Sequence, residues 1–284
     1  MSHALSYGSE KESLLKSYIP ISVNTEETPS DGEKKIRRFS CRLSDLASWE
    51  NLWKAILGEF IGTFIMMYVG LGAILAQDEL LYVALTWSLI MPVLISIFGK
   101  ISQALFNPAI TVVFWLLEDI TLLQAIFSVF AQLLGSAAAS ALQLQLWPLD
   151  TRKPYYDGCT FNVPIGDKSG TQRGLINEVV TTCILVFLLL SLTHRGPTAE
   201  LQHPQTLLVA MAVGATIFCM VMVGAPISGA SLNPARSFGP SLVANYWDDH
   251  WVFWAGPIIG ALLGMSIWYT FVRKVYITEE KKDS

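Results

Sequence analysis

Long apolar runs separated by short polar stretches fill most of this chain. Six of them, at about 52–76, 80–98, 122–146, 174–193, 206–224 and 251–272, reach the roughly 20 mostly apolar residues that a bilayer-crossing helix needs. Two more apolar stretches, Ile101 to Leu117 and Ser228 to Val243, are shorter and interrupted by proline. They read as re-entrant half-helices, which a bilayer tolerates only where the backbone is buried or lines a cavity. The pattern predicts an all-α membrane protein with six transmembrane helices plus two re-entrant half-helices. A body at 51–272 would carry them, between polar tails at 1–50 and 273–284.

The two short stretches are copies of one another. Ser102 to Ala109 (SQALFNPA) and Ser228 to Ala235 (SGASLNPA) agree at Ser, Ala, Asn, Pro and Ala in register. Upstream, Glu59 and Glu178 each fall near the start of the first helix of their half. Each half therefore runs helix, helix, half-helix, helix. Three spans are an odd number, so the second copy enters the membrane the other way up. Such an inverted repeat brings equivalent elements together at the bilayer midplane.

Composition points the same way. The chain is 52% hydrophobic and 15% charged, against about 25% charged in an ordinary soluble domain. Residues 120–149, 206–235 and 251–272 hold no charge at all. The net charge of −4 merely averages polar tails with a neutral body. The first 50 residues lack the apolar core of a cleaved signal peptide. Cys41, Cys159, Cys183 and Cys219 have no metal-site spacing, and Cys183 and Cys219 sit in apolar runs as packing residues. Six spans put both tails on one side. That side holds fourteen Lys and Arg, including Lys100 and Arg195, against four (Arg152, Lys153, Lys168, Arg173) on the other. The bias predicts cytoplasmic termini, in a multi-pass protein taken to reside in the plasma membrane.

The candidate chemistry centres on the repeated Asn-Pro-Ala: Asn107, Pro108 and Ala109, then Asn233, Pro234 and Ala235. Asn suits a helix N-cap, and Pro suits the first helical position, where its missing N–H costs nothing. One copy would be no more than a loop-to-helix junction. Two copies in an inverted repeat would set two helix N-termini facing each other, each with about half a positive charge. The Asn amides there could donate to a solute. Arg236 follows the second copy, and a charge inside a membrane segment is a functional candidate by default. Glu59 and Glu178, symmetrically placed in the two halves, admit a proton-relay reading. Gly58 and Gly62, Gly256, Gly260 and Gly264, and Gln132 with Gly135 read as close-packing positions. Trp49, Trp53, Trp247, Trp251 and Trp254 read as interfacial belts. The basic run before Ser40 suits anionic lipid contact; it is also a kinase pattern that makes Ser40 a possible phosphosite.

Ile227 to Pro240 (ISGASLNPARSFGP) closely resembles the second signature of the aquaporin, or major intrinsic protein, family. Ile101 to Thr111 (ISQALFNPAIT) resembles the first, with Gln103 and Leu105 where the family usually has Gly and His. The resemblance covers about residues 52–272. It implies a passive channel for water and small uncharged solutes such as glycerol or urea, assembled as a homotetramer with one pore per subunit. Ions and protons would be excluded by Arg and half-helix dipoles, as described for aquaporin-type pores. By position, the resemblance makes Trp87, Val221, Ala230 and Arg236 the selectivity filter, and Glu59 and Glu178 acceptors for loop N–H groups. Water-restricted members carry His where Val221 stands, which favours a wider filter here. Ser237, where glycerol-conducting members commonly have Asp, and Trp254, at a position often aromatic in water channels, point towards a water-only channel. A coupled transporter or a non-conducting adhesion protein of the same fold are the rivals. No nucleophile–base pair or metal cluster suggests an enzyme, and no cofactor or nucleic-acid partner is expected. The expected partners are the permeants, the lipid bilayer and further copies of the chain.

Overall fold

The computed structural model describes residues 49–76, 79–147, 168–193 and 207–273. Ser40, Cys41, Cys159 and most of the tail residues counted for orientation lie outside them. The elements are α1 (Trp49–Ala76), α2 (Leu80–Ser102), α3 (Pro108–Leu116), α4 (Leu122–Leu146), α5 (Lys168–Thr193), α6 (Leu207–Ser228), α7 (Pro234–Ala244) and α8 (Val252–Ile267). A π-helical turn, Trp268–Arg273, prolongs α8. Among the described residues, six helices are long and apolar enough to cross a membrane, while α3 and α7 are short. The described residues contain no strand.

The helix ends depart from the expected spans of 80–98, 174–193 and 206–224. α2 continues to Ser102 and α6 to Ser228. Both serines, which the sequence placed in the re-entrant stretches, are buried at the ends of the long helices. Lys100 in the last turn of α2 suits the negative end of the helix dipole. α5 starts at Lys168 rather than near 174, because its first two turns are polar but helical.

The halves are related element by element. α1 packs on α4 and α5 packs on α8, whereas α2 and α6 pack on each other across the halves. Glycine lets the backbones close in. A Cβ on Gly135 would lie 2.5 Å from the Phe60 carbonyl, and one on Gly260 would lie 2.4 Å from that of Val179. Gly256 and Gly264 extend the α5–α8 seam one turn either way. Without a hydrophobic drive between helices in lipid, such close approach is what holds them together.

The distribution of polarity is the reverse of a soluble protein's. Leu81, Leu85, Leu89, Val93, Ile97 and Ile101 form an exposed stripe at four-residue spacing down α2. Glu59, Glu178, Gln132, Thr111, Ser228 and Ser237 are fully buried. A continuous apolar stripe of that length needs something apolar against it, and lipid hydrocarbon supplies it. Trp53, Trp247 and Trp251 are exposed as belt residues should be. Trp254 is half-buried, with its indole N–H committed to His250.

Candidate functional site

Both Asn-Pro pairs start helices. Asn107 and Asn233 are extended (φ −151° and −154°), and each side-chain oxygen accepts from the N–H two residues on, Ala109 and Ala235, at 2.9 Å. Asn233 also receives the Arg236 N–H at 3.4 Å. The amide nitrogens cross over. Asn107 Nδ2 donates to the Leu232 carbonyl and Asn233 Nδ2 to the Phe106 carbonyl, both at 2.8 Å. The two helix N-termini are thereby tied head to head through reciprocal bonds. Each amide has a second N–H donor beyond the one used here.

The loops entering these helices have one unusual backbone in common. Gln103, Ala104 and Phe106 have φ of 67°, 53° and 48°, matched in register by Gly229, Ala230 and Leu232 at 81°, 48° and 52°. Left-handed backbone costs an L-residue about 1–2 kcal/mol, so something must hold it. Glu59 does so in the first half, accepting the Leu105 N–H (3.0 Å) and the Phe106 N–H (2.7 Å). Glu178 does so in the second, accepting the Ser231 N–H (2.8 Å) and the Leu232 N–H (2.7 Å). Both glutamates have each oxygen engaged by loop backbone, which is the work of a scaffold. Gln103, at the left-handed C-cap of α2, donates through Nε2 to the Asp119 carbonyl (3.1 Å). Leu105 packs into the buried cluster with Ala109 and Val113. These two departures from the family pattern are thus accommodated by local contacts.

Gln132 is more than a packing residue. Its Nε2 donates to Glu59 Oε2 (2.7 Å) and to Thr111 Oγ1 (3.0 Å), tying α4 to α1 and α3. The available signal was a lone amide amid the uncharged, small-residue centre of 122–146. The second half solves the same problem differently. Ser228 Oγ donates to Glu178 Oε1 (2.6 Å) and accepts from Asn177 Nδ2 (2.6 Å). Asn177 was not singled out from the sequence.

Trp87 lies on α2, Val221 on α6, Ala230 in the second loop and Arg236 on α7, and all four are buried. The Arg236 guanidinium lies 5.9 Å from the Trp87 ring centroid, and its Nη2 donates to the Gly229 carbonyl at 3.1 Å. Val221 and Ala230 share one buried cluster. An interior cation is costly unless its N–H groups find acceptors and its charge a favourable face; the Gly229 carbonyl takes one N–H of Nη2 and the indole lies near the charge. Ser237 is fully buried, its hydroxyl 2.6 Å from that of Ser231, which donates to the Asn233 carbonyl. It braces the loop. Further along, Trp254 Nε1 donates to His250 Nε2 (3.1 Å), which leaves His250 Nδ1 to donate to Ser241 Oγ (3.0 Å). Burial holds the His250 pKa below the ordinary histidine value, in keeping with that neutral ring. Cys183 and Cys219 are free, the first half-buried and the second exposed.

The family model described as Major intrinsic protein matches residues 45–269. Aquaporin TIP4-4 of Zea mays is 37% identical over 221 residues, covering 74% of this chain and 83% of that relative. Human Aquaporin-2 is 34% identical over 225 residues, covering 77% and 78% respectively. The crystal structure of an aquaglyceroporin from Plasmodium falciparum superposes with a TM-score of 0.70 at 22% identity, covering 80% of this chain and 99% of that one. At that identity the superposition speaks for the fold alone.

Proposed function

Because this chain belongs to the major intrinsic protein family, and is therefore a multi-pass membrane channel and not an enzyme, we propose that it passes water together with small uncharged solutes such as glycerol or urea, while holding back ions and protons. The observation that carries the reading is the pair of asparagines joining two helix N-termini head to head. The remaining amide donors and the two positive helix ends can receive a water oxygen and oppose a cation at one point. Half-membrane insertion of α3 and α7 from opposite faces follows from this reading.

Solute range turns on the filter of Trp87, Val221, Ala230 and Arg236. Arg236 donates on one side, Trp87 offers an apolar wall opposite, and Val221 and Ala230 are small. A polyol has hydroxyls for the first and a carbon backbone for the second. Val221→His should therefore keep water flux while cutting glycerol and urea uptake by about tenfold or more, the range that small steric differences in a tight site command. Radiolabelled uptake beside osmotic swelling in oocytes measures both. Fast swelling of the unmodified channel with glycerol and urea uptake at control level would make it a water-only channel, the direction in which Ser237 and Trp254 point. No swelling at all would favour an adhesive role.

The same reading puts the pore body at 51–272, both termini in the cytoplasm of a plasma-membrane protein, and four copies in the assembly. The lysine and arginine bias supports the orientation.

A further inference from the structure

We infer that Gly70 of α1 is a specificity-determining position of this channel, because the missing side chain is what lets the Trp87 indole lie back from the pore. The inference rests on the proposed place of Trp87 in the filter. A Cβ built on Gly70 would fall 2.2, 2.4 and 2.6 Å from Cζ2, Cε2 and Cη2 of Trp87. Ordinary contact begins at 3.4 Å, so even one methyl group would drive the ring away by roughly 1 Å. A fused aromatic ring cannot yield by bending. Met67, Leu71 and Met91 belong to the same buried cluster as the ring. The Arg236 guanidinium lies 5.9 Å from the ring centroid, so a shift of the indole would change the spacing between the two groups.

Pore selectivity depends on diameter and on the groups that line it, and Gly70 sets the first without touching a permeant. It is a positioning residue. Gly62, eight positions earlier and so on the same face of α1, leaves room in the same manner for Phe106. Its neighbour, however, belongs to the loop rather than to the filter. Nothing in the helix itself calls for glycine at position 70. In the middle of a helix, Ala is the better helix former.

Gly70→Ala, Trp87→Phe and the double variant, reconstituted in proteoliposomes, test this by stopped-flow water, glycerol and urea permeability per folded channel. Gly70→Ala should lower water flux severalfold and glycerol and urea flux by about tenfold or more, the sensitivity expected of steric discrimination in a tight site. Trp87→Phe removes the ring that Gly70 accommodates, so the double variant should recover the flux that Gly70→Ala lost. If Gly70→Ala fails to fold, recovery of a folded, conducting channel in the double variant supports the same steric pairing. Unchanged flux in Gly70→Ala, or a double variant no better than Gly70→Ala, overturns the inference. A parent channel that passes water but neither solute would refute the proposed solute range, while the water measurements would still decide the role of Gly70.

Discussion

Glu178→Leu is expected to leave little folded channel in the membrane. Its oxygens receive the Ser228 hydroxyl at 2.6 Å and the Ser231 and Leu232 N–H groups at 2.8 and 2.7 Å, in a fully buried setting. Leucine fills much the same space but accepts nothing. Each orphaned buried donor costs about 1–3 kcal/mol, and three together approach the whole 5–15 kcal/mol or so by which proteins are stable. The left-handed backbone at Gly229, Ala230 and Leu232 would lose its restraint as well. Glu178→Gln keeps one accepting oxygen but turns an NH2 group towards the other donors, so it should fall between. Thermal melting in detergent, with membrane abundance and water flux, measures the series. A Glu178→Leu channel that melts and conducts like the parent would remove the carboxyl group from any part in shaping the loop. Glu59→Leu should behave alike, with the added loss of the Gln132 partner.

Arg236→Val is expected to preserve folding and uncharged flux but to admit cations or protons, with leak rising by an order of magnitude or more. Two like unit charges 4 Å apart repel by about 4 kcal/mol at an effective dielectric constant of 20. An entering cation therefore loses a large barrier when the guanidinium goes. The positive ends of α3 and α7 remain behind it, so exclusion should weaken rather than vanish. Arg236→Lys supplies the control. It keeps the charge but gives up the planar fork that reaches the Gly229 carbonyl. Low leak in Lys and high leak in Val would assign exclusion to the charge itself. Equal ion selectivity in all three would place Arg236 outside the conducting path.

Much of this was readable from the chain because the relevant physics is local. Whether a run of residues can span a bilayer depends on its own length and apolarity, so the six long helices were visible. An Asn-Pro pair writes its own helix start, since the cap bond closes within two residues. Repetition of that pair, with a glutamate upstream in each half, disclosed two equivalent halves before any contact was known. The ends of α2 and α6 were misplaced, because Ser102 and Ser228 were counted with the re-entrant stretches. Ser102 and Ser228 are polar in sequence but buried in place, and polarity alone does not say which way a side chain faces.

What the tertiary structure alone decided were the pairings between helix faces far apart in the chain. Gln132 reaches Glu59 across 73 residues, and Asn177 reaches Ser228 across 51. Gly70 makes room for Trp87 on another helix. An amide in an apolar helix or a glycine on a helix face is compatible with many partners. Which partner it meets is set by helix rotation and approach, and those emerge only when all the helices pack at once. By itself, then, the sequence determined the spans, the two helix starts, the buried acids and the family. The packed structure decided which side chains hold the loops in left-handed form and how closely an indole stands to a guanidinium, because hydrogen bonds and steric exclusion act over a few ångströms whatever the distance along the chain.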